Sequence, residues 1–230
     1  MMADDKQLLL DNIKILGITL APKAVEDLLH YAAFLREWNE RINLISRKDI
    51  DNLIPSHIID SLVALPLIHS TVEKQTTNSQ LRLMDLGPGG GFPGIPLKIC
   101  LPEIELALVE ATQKKAKFLE LVIPELGLTN TTVIPKHSRD LVKDPAHIRK
   151  FDIVTARAVS ELKDLVKDSF PFLAPGGRLL AYKSGKAEAE IAAAQEIMKK
   201  LGGVIETGII VPTPASGKER RIVVVRKMAG

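Results

Sequence analysis

Apolar side chains recur with two different periods along this 230-residue chain, and the period changes near residue 80. Before that point they stand three or four positions apart, as Val25, Leu28 and Ala32 do, and this spacing predicts amphipathic helices. Four helices are predicted in the first 75 residues, the third capped by Asp49 and the fourth with Pro55 in its first turn. The polar stretch 71–80 predicts a connecting loop.

Beyond residue 80, short apolar runs alternate with helical stretches. Seven runs predict strands: Leu81–Leu86, Ile104–Glu110, Thr131–Pro135, Phe151–Ala156, Arg178–Lys183, Val204–Val211 and Arg221–Lys227. The helices predicted among them are Pro93–Cys100, Gln113–Ile123, Glu161–Phe170 and Ala187–Leu201. This alternation is typical of a doubly wound parallel sheet. The last two strands are joined only by residues 212–220, and since a parallel crossover needs a dozen or more residues, they are predicted to pair antiparallel.

The fold class that follows is α/β, a Rossmann-like doubly wound sheet that ends in an antiparallel hairpin. Residues 76–230 form this predicted core, and residues 1–75 form a helical part packed on it, here called the helical extension. The extension holds 8 basic and 11 acidic side chains, whereas the core holds 23 and 17. The basic excess of the core permits a nucleic-acid partner without requiring one.

Composition excludes several classes of function. Cys100 is the only cysteine, so neither an intrachain disulfide nor a thiolate metal cage is expected. The five histidines show no HxH or HExxH spacing, and no metal is expected. The longest apolar stretches fall far short of the ~20 residues that a membrane span needs, and the N-terminus leads into no signal-peptide core. We therefore expect a cytoplasmic protein with no membrane partner.

Five glycines occur in residues 87–94, directly after the first predicted strand. Glycine lets the backbone approach a ligand closely and adopt positive φ, and the helix that follows offers N–H groups to polar ligand atoms. Two ligand classes fit this loop. Gly89, Gly91 and Gly94 satisfy the G-x-G-x-x-G pattern of dinucleotide-binding folds. Alternatively, Asp85–Gly89 forms the E/D-x-G-x-G loop of S-adenosylmethionine-dependent methyltransferases.

Features outside the loop distinguish these two ligands. Glu110 lies 21 residues after Gly89, where a carboxylate at the end of the second strand would bind the ribose hydroxyls of either one. Asp85 lies inside the first strand end, where a methyltransferase places a carboxylate near the sulfonium and amino end of its cofactor. A dehydrogenase normally adds a substrate domain, but only about 45 residues follow the fifth strand. With the terminal hairpin, these features favour a class I S-adenosylmethionine-dependent methyltransferase, and an NAD(P)-dependent reductase is the alternative.

The chemistry of the methyl acceptor narrows the substrate. A pyrimidine carbon needs a cysteine nucleophile, but Cys100 ends a predicted helix among apolar residues. Exocyclic amines are usually held by an N/D-P-P-Y/F motif after the fourth strand, and Thr155–Val159 stands there instead. Guanine N7 carries an in-plane lone pair and no proton, so it can attack without a general base. No base is therefore assigned, and Arg157 and Lys183, at the tips of the fourth and fifth strands, are candidates for positioning the substrate.

Segments along nearly the whole chain match one family pattern. They are Trp38-Asn39, Asn43-Leu44, His57-Ile58-Ile59-Asp60-Ser61, Asp85 to Leu97, Ser138-Arg139, Ala156-Arg157-Ala158, Tyr182-Lys183 and Glu219-Arg220. In these segments the chain resembles the glucose-inhibited division protein B family (RsmG type), the bacterial small-subunit ribosomal RNA guanine-N7 methyltransferases. The Gly-x-Pro-Gly-Ile-Pro-Leu run and the His-x-x-Asp-Ser helix are much more specific than the glycine loop alone.

The resemblance implies methyl transfer from S-adenosylmethionine to N7 of a guanine in the decoding region of 16S ribosomal RNA. The substrate would be the RNA or the 30S subunit. Separately from the resemblance, we expect a monomer. The loop and the resemblance together indicate these cofactor-binding residues: Asp85, Gly87, Gly89, Phe92, Glu110, Asp140, Leu141 and Arg157. The candidates for RNA binding are Arg139, Lys183, Arg220 and Arg221.

One position departs from the family pattern. The family has a small hydroxyl residue after the first glycine of the loop, and Pro88 stands there in this chain. Proline cannot donate a backbone hydrogen bond, so the cofactor contact at this position is an open question. The other hypotheses are a methyltransferase of the same fold that acts on another RNA or a small molecule, and a non-catalytic RNA-binding module.

Overall fold

The computed structural model describes the backbone of residues 2–72, 80–157, 160–183, 187–213 and 218–228. The described part of the extension contains α1 (Met2–Ile15), α2 (Pro22–Asn39), α3 (Arg47–Ile50), a π-helical turn (Ile54–Ile59) that continues into α4 (Asp60–Leu62), and α5 (Leu65–Val72). α1 and α2 lie where the apolar period predicts helices, and the predicted fourth helix, with Pro55 in its first turn, is the π-helical turn with α4. A separate α5 is not predicted, and it extends two residues into the predicted loop 71–80.

The start of α3 differs from the prediction, because Ser46 and not Asp49 is its N-cap. The Ser46 hydroxyl accepts a hydrogen bond from the N–H of Asp49 at 3.2 Å and donates one to the Asp49 carboxylate at 2.6 Å. Asp49 therefore lies within the first turn. Serine and aspartate are both favourable caps, and the sequence pattern alone does not choose between them.

Within the described residues, seven strands form one sheet: β1 (Arg82–Leu86), β2 (Glu105–Val109), β3 (Thr131–Ile134), β4 (Phe151–Arg157), β5 (Leu173–Lys183), β6 (Gly203–Thr213) and β7 (Lys218–Lys227). Their order is β3-β2-β1-β4-β5-β7-β6. The first five strands are parallel, and β7 is antiparallel to both β5 and β6. The predicted α/β fold class, with its terminal antiparallel hairpin, is confirmed.

The helices of the core are α6 (Gly94–Cys100), α7 (Gln113–Glu125), α8 (Ser138–Leu141), α9 (Leu162–Ser169) and α10 (Ala187–Leu201). The pattern does not predict α8, since four residues are too few to show a helical period. β5 begins at Leu173 rather than near Arg178, and its register against β4 shifts between Phe151 and Ile153. The regular alternation of a strand is interrupted there, which explains the late predicted start.

Buried side chains form one cluster on each face of the sheet. Alternate residues of β1 enter opposite clusters, so that Leu83 packs with the extension, α6 and α7, while Met84 packs with α9 and α10. Leu28, Tyr31 and Leu35 of α2 are fully buried in the first cluster. This packing brings the π-helical turn and α4 to the carboxyl ends of the parallel strands, the edge at which open α/β sheets bind ligands.

Candidate active site

The glycine loop, residues 87–94, connects the end of β1 to α6. Gly87, Gly89 and Gly91 have φ values of +66°, +59° and +101°, in the left-handed region that glycine adopts without a side-chain clash. The N–H of Gly87 donates to the carbonyl of Val109 at 2.9 Å. The loop therefore begins directly beside the end of β2.

Two carbonyls of the loop accept hydrogen bonds that hold its shape. The carbonyl of Pro88 accepts the N–H groups of Gly91 and Phe92, each at 2.9 Å. The carbonyl of Gly90 accepts the buried hydroxyl of Tyr31 from α2. Pro88 thus closes the turn through its carbonyl, although it has no N–H to offer a ligand.

Glu110 follows β2 and binds the glycine loop directly. One carboxylate oxygen accepts the N–H of Gly89 at 3.0 Å, and the other accepts the N–H of Thr112 at 2.7 Å. The residue is buried, with 6% exposed. Each carboxylate oxygen has two acceptor sites, so Glu110 can hold the backbone and still accept hydrogen bonds from a ligand.

Asp85 is the other carboxylate of the site, and it is fully buried near the end of β1. Its oxygens accept the N–H of Gly94 at 2.7 Å and the hydroxyl of Thr155 at 3.0 Å. Burial raises the pKa of this carboxyl group to about 7, although both hydrogen bonds and the charge of Arg157 act to lower it. The charge of Asp85 is therefore sensitive to pH and to any cation placed beside it.

A cleft of about 250 Å³ opens between the glycine loop, the end of β2 and the segment after β3. It is lined by Leu86, Gly87, Val109, Glu110, Ala111, Thr112, Lys136, His137, Ser138, Leu165 and Asp168. Asp140 and Leu141 do not line this cleft but follow Ser138 within α8; Asp140 is exposed and Leu141 is buried. The cleft thus joins two of the predicted cofactor-binding residues, Gly87 and Glu110, and borders two others.

Phe92 and Arg157 lie together on the other side of the loop. The Arg157 guanidinium carbon is 5.2 Å from the centre of the Phe92 ring. Its Nη1 donates to the Asp60 carboxylate at 2.8 Å and to the Ser56 carbonyl at 3.1 Å, and its Nη2 contacts Nδ1 of His57. The extension therefore holds a side chain that the sequence places at the tip of β4.

Two of the predicted RNA-binding residues are engaged in ion pairs. Lys183 is buried; its ammonium donates to the Ser160 carbonyl at 2.5 Å and lies 2.7 Å from the Glu190 carboxylate. Arg221 forms an ion pair with Glu188 at the start of α10. Both cations are thus partly neutralised by acidic residues of one helix.

The two remaining RNA-binding candidates differ in what the structure describes. Arg139 is exposed on α8, and its charge acts on the nearby Asp168 carboxyl. The backbone of Arg220 pairs with Val211 in the β6–β7 hairpin. The side chain of Arg220 lies outside the described residues.

Sequence reasoning missed two residues of this site. Asp168 of α9 lines the cleft, and burial together with the charge of Asp164 raises the pKa of its carboxyl group. Tyr31 holds the glycine loop from the extension. Neither residue carries a sequence signal, because Tyr31 belongs to the apolar stripe of its helix and Asp168 to the polar face of another.

A larger cleft, of about 610 Å³, lies on the extension. Its lining contains no residue of the glycine loop or of the strand ends, and one of its two arginines, Arg36, is paired with Asp5 at 2.6 Å. The smaller cleft is therefore the better candidate for a cofactor. Among the described residues, no group of three or more His, Cys, Asp or Glu side chains is arranged to hold a metal. No helix in the described ranges is long and apolar enough to cross a membrane.

The strand order, the glycine loop after β1 and the carboxylate after β2 define a class I S-adenosylmethionine-dependent methyltransferase fold. TrmN from Thermus thermophilus shares this fold, with a TM-score of 0.56 and 18% identity over 73% of this chain and 49% of TrmN. An O-methyltransferase from Thermotoga maritima matches with a TM-score of 0.53 and 15% identity, over 85% and 72% of the two chains. TYW2 of M. jannaschii, solved with AdoMet, matches with a TM-score of 0.53 and 18% identity, over 69% and 74%.

The sequence relatives identify the family within this class. Residues 24–212 match the model of the family described as rRNA small subunit methyltransferase G, and the chain belongs to that family. The Ribosomal RNA small subunit methyltransferase G of Desulfitobacterium hafniense is 38% identical over 92% of this chain and 84% of the relative. That of Pelotomaculum thermopropionicum is 39% identical over 93% and 86%. The resemblance read from the sequence is confirmed, and the nicotinamide-dependent alternative is set aside.

Proposed function

We propose that this chain transfers a methyl group from S-adenosylmethionine to N7 of a guanine in the decoding region of 16S ribosomal RNA. Family membership supports the enzyme class, the cofactor and the ribosomal RNA substrate. In the structure of this chain, the main support for the proposal is the cleft between the glycine loop and Glu110. We further propose that the enzyme acts as a monomer in the cytoplasm, with residues 1–75 as an extension of the 76–230 core.

The residues of the cleft fit this cofactor. Gly87 and Glu110 line it, and a side chain added at Gly89 would meet only the Lys115 ammonium, at 3.9 Å, so the backbone there is open to a ligand. Glu110 keeps acceptor sites for ribose hydroxyls, and Asp85 supplies negative charge for the amino and sulfonium end. When bound, S-adenosylmethionine supplies an electrophilic methyl carbon on a positively charged sulfur.

The remaining cofactor contacts surround the cleft on both sides. Asp140 and Leu141 follow the cleft residue Ser138, and we propose that they contact the cofactor from the end of β3. Phe92 and Arg157 are proposed to contact it from the ends of β1 and β4. Together these residues position the methyl carbon and exclude water, which are the main requirements of an in-line displacement.

The state of the nearby groups favours an acceptor that needs no base. Burial raises the pKa of the Cys100 thiol to about 12, so the thiol stays protonated near neutral pH and is a poor nucleophile. Glu110 and Asp85 are assigned to the cofactor in this proposal, and Nδ1 of His57 is engaged by Arg157. Guanine N7 has no proton to lose before attack, which suits such a site.

The proposed RNA contacts are Arg139, Lys183, Arg220 and Arg221. Arg139 ranks first because it is exposed beside the cleft. Lys183 and Arg221 are paired with Glu190 and Glu188, and RNA would have to compete with those carboxylates.

Tritiated methyl transfer tests the proposed function. The protein is incubated with labelled S-adenosylmethionine and either 16S RNA or 30S subunits from cells that lack the modification, and the nucleosides are analysed. The label is expected in 7-methylguanosine. The matched control is the same RNA from cells that carry the modification, which should accept little label. Label in another nucleoside, or equal labelling of both RNAs, would move the acceptor elsewhere.

A further inference from the structure

The Arg157 guanidinium is the point at which the helical extension meets the carboxyl end of β4. Only 11% of its side chain is exposed, and only 1% of its partner Asp60. Its other two partners, Ser56 and His57, belong to the π-helical turn that runs into Asp60. The low dielectric of a buried site strengthens such charge-assisted bonds, so this contact sets the place of the guanidinium.

The remaining neighbours of Arg157 constrain it further. A guanidinium has only donors, so Nδ1 of His57 accepts the bond between them and the ring carries its proton on Nε2. The Phe92 ring lies 5.2 Å from the guanidinium carbon and 5.0 Å from the His57 ring. The Arg157 guanidinium is therefore fixed in place by a carboxylate, an imidazole and an aromatic ring.

The contacts of Arg157 leave part of its hydrogen-bonding capacity unused. A guanidinium carries five N–H groups, and Asp60, Ser56 and His57 use three of them. Among the described residues, no hydrogen bond uses the Nε–H or the second Nη2–H. Two donors are thus left for a ligand at the edge where the cofactor and the acceptor base would meet.

We propose that Asp60, assisted by His57, is a positioning residue that orients Arg157 so that its two remaining N–H groups bind an oxygen of the bound substrates. The inference rests on the proposed function. The oxygen is the cofactor carboxylate or O6 of the target guanine, because both are acceptors for such a pair of donors. N7 itself is excluded as the partner, since a hydrogen bond there would occupy the lone pair that attacks the methyl group. The helical extension is then part of the active site.

The test compares Asp60→Ala and Asp60→Asn with a matched control, Tyr182→Phe. The Tyr182 hydroxyl donates to the Ser61 carbonyl at 2.8 Å, so its removal also breaks a buried bond between the extension and the sheet, while the hydrogen bonds of Arg157 to Asp60, Ser56 and His57 do not involve this hydroxyl. Single-turnover methyl transfer is measured per folded protein, together with thermal unfolding. Asp60→Ala should slow transfer about ten- to a hundredfold, Asp60→Asn less because it keeps an oxygen acceptor, and Tyr182→Phe by less than about twofold.

A double variant shows whether Asp60 acts through Arg157. In an Arg157→Ala background, Asp60→Ala should change the transfer rate by less than about twofold, because the group that Asp60 positions is already gone. A full further loss in that background would overturn the proposal. So would slower transfer in Tyr182→Phe and Asp60→Ala that merely parallels their losses of stability.

The affinity for S-adenosylhomocysteine identifies the oxygen. If Asp60→Ala weakens it by the same factor as Arg157→Ala, the oxygen belongs to the cofactor carboxylate. If affinity is unchanged while transfer slows, the oxygen belongs to the RNA. Failure of the proposed function is seen separately, because the wild-type protein would then label a nucleoside other than 7-methylguanosine, whereas the ratio of variant to wild-type rate still reports on Asp60.

Discussion

Two buried carboxylates each join the end of a strand to a loop. Glu110 accepts the backbone N–H groups of Gly89 and Thr112, and Asp85 accepts that of Gly94. Each is also a proposed cofactor contact. Replacing either residue therefore affects both the shape of the loop and the ligand.

Glu110→Ala should weaken S-adenosylhomocysteine binding. The ribose hydroxyls lose a charge-assisted acceptor that contributes roughly 1.5–3 kcal/mol, so the dissociation constant should rise about ten- to a hundredfold. Isothermal titration measures it. The matched control is Glu105→Ala, because Glu105 lies at the amino end of the same strand and pairs with Arg82 at 2.9 Å. Unchanged affinity in Glu110→Ala would remove Glu110 from the site.

Asp85 should make stability depend on pH. Burial raises the pKa of its carboxyl group from 3.8 to about 7, so between these values the folded state keeps a proton that the unfolded state releases. The stability contributed by this group is therefore lost as pH rises toward about 7. Between about pH 5 and about pH 8, the free energy of unfolding of Asp85→Asn should rise by roughly 3 kcal/mol relative to that of the wild type, because an amide does not ionise.

Urea unfolding of the wild type and Asp85→Asn at the two pH values measures this difference. Asp140→Asn is the control for general effects of pH, because Asp140 is exposed. A difference between Asp85→Asn and the wild type that stays constant with pH would mean that Asp85 has the same charge at both values.

At the scale of elements, α2 contributes to the shape of the glycine loop. The Tyr31 hydroxyl donates to the Gly90 carbonyl, and its ring centre lies 5.5 Å from that of Phe92. The φ of Gly91 is +101°, and a Cβ atom there would lie 2.5 Å from the Tyr31 hydroxyl oxygen and 2.8 Å from Cγ1 of Ile95. The close approach of helix and loop leaves no room for a side chain.

Gly91→Ala should therefore destabilise the protein by about 2–4 kcal/mol, from backbone strain and overpacking together. Gly17→Ala is the matched control, since Gly17 has a φ of +66° and open space around an added Cβ. Gly17→Ala should lose only the stability that backbone strain costs, about 1 kcal/mol. Urea unfolding of both variants measures the two losses. Equal losses would show that the contact with α2 contributes nothing.

At the scale of the whole molecule, the edge of the sheet that is proposed to bind the cofactor has two kinds of basic side chain: some form ion pairs with carboxylates, and others are exposed. Arg157 and Lys183 are bound by carboxylates, whereas Arg139 is exposed beside the cleft. Lys150, also exposed, precedes β4 and lies at the opposite edge. RNA that reaches the cleft would meet the first edge and not the second.

Arg139→Ala should lower RNA affinity and reduce the salt slope of binding by about one, because one phosphate contact and its counterion release are lost. Lys150→Ala removes an equal charge from the opposite edge and should leave the slope unchanged. Filter binding of 16S RNA over a range of salt concentrations measures both. Equal changes in the two variants would indicate a general charge effect instead of a contact at Arg139.

The types of element and the chemistry of the glycine loop could be predicted from the order of the amino acids alone. Periods near 3.6 and 2 residues are local properties, so α7 and β2 lie within a few residues of their predicted bounds. The position of Glu110 beside the glycine loop could also be predicted, because the ends of neighbouring parallel strands meet at one edge of the sheet. The hydrogen bond of 3.0 Å between Gly89 and Glu110 joins the two parts of that motif.

Which charged side chains pair with one another depends instead on how distant parts of the chain pack. Arg157 and Asp60 lie 97 positions apart, and no local pattern relates them. Their contact depends on how the buried faces of the extension and the sheet fit together, which is a matter of close packing and not of periodicity. The place of β7 between β5 and β6 was undecided for the same reason, since a short connection shows only that the two last strands are antiparallel. The sequence thus determined the kind of site, and tertiary packing decided that the helical extension holds Arg157.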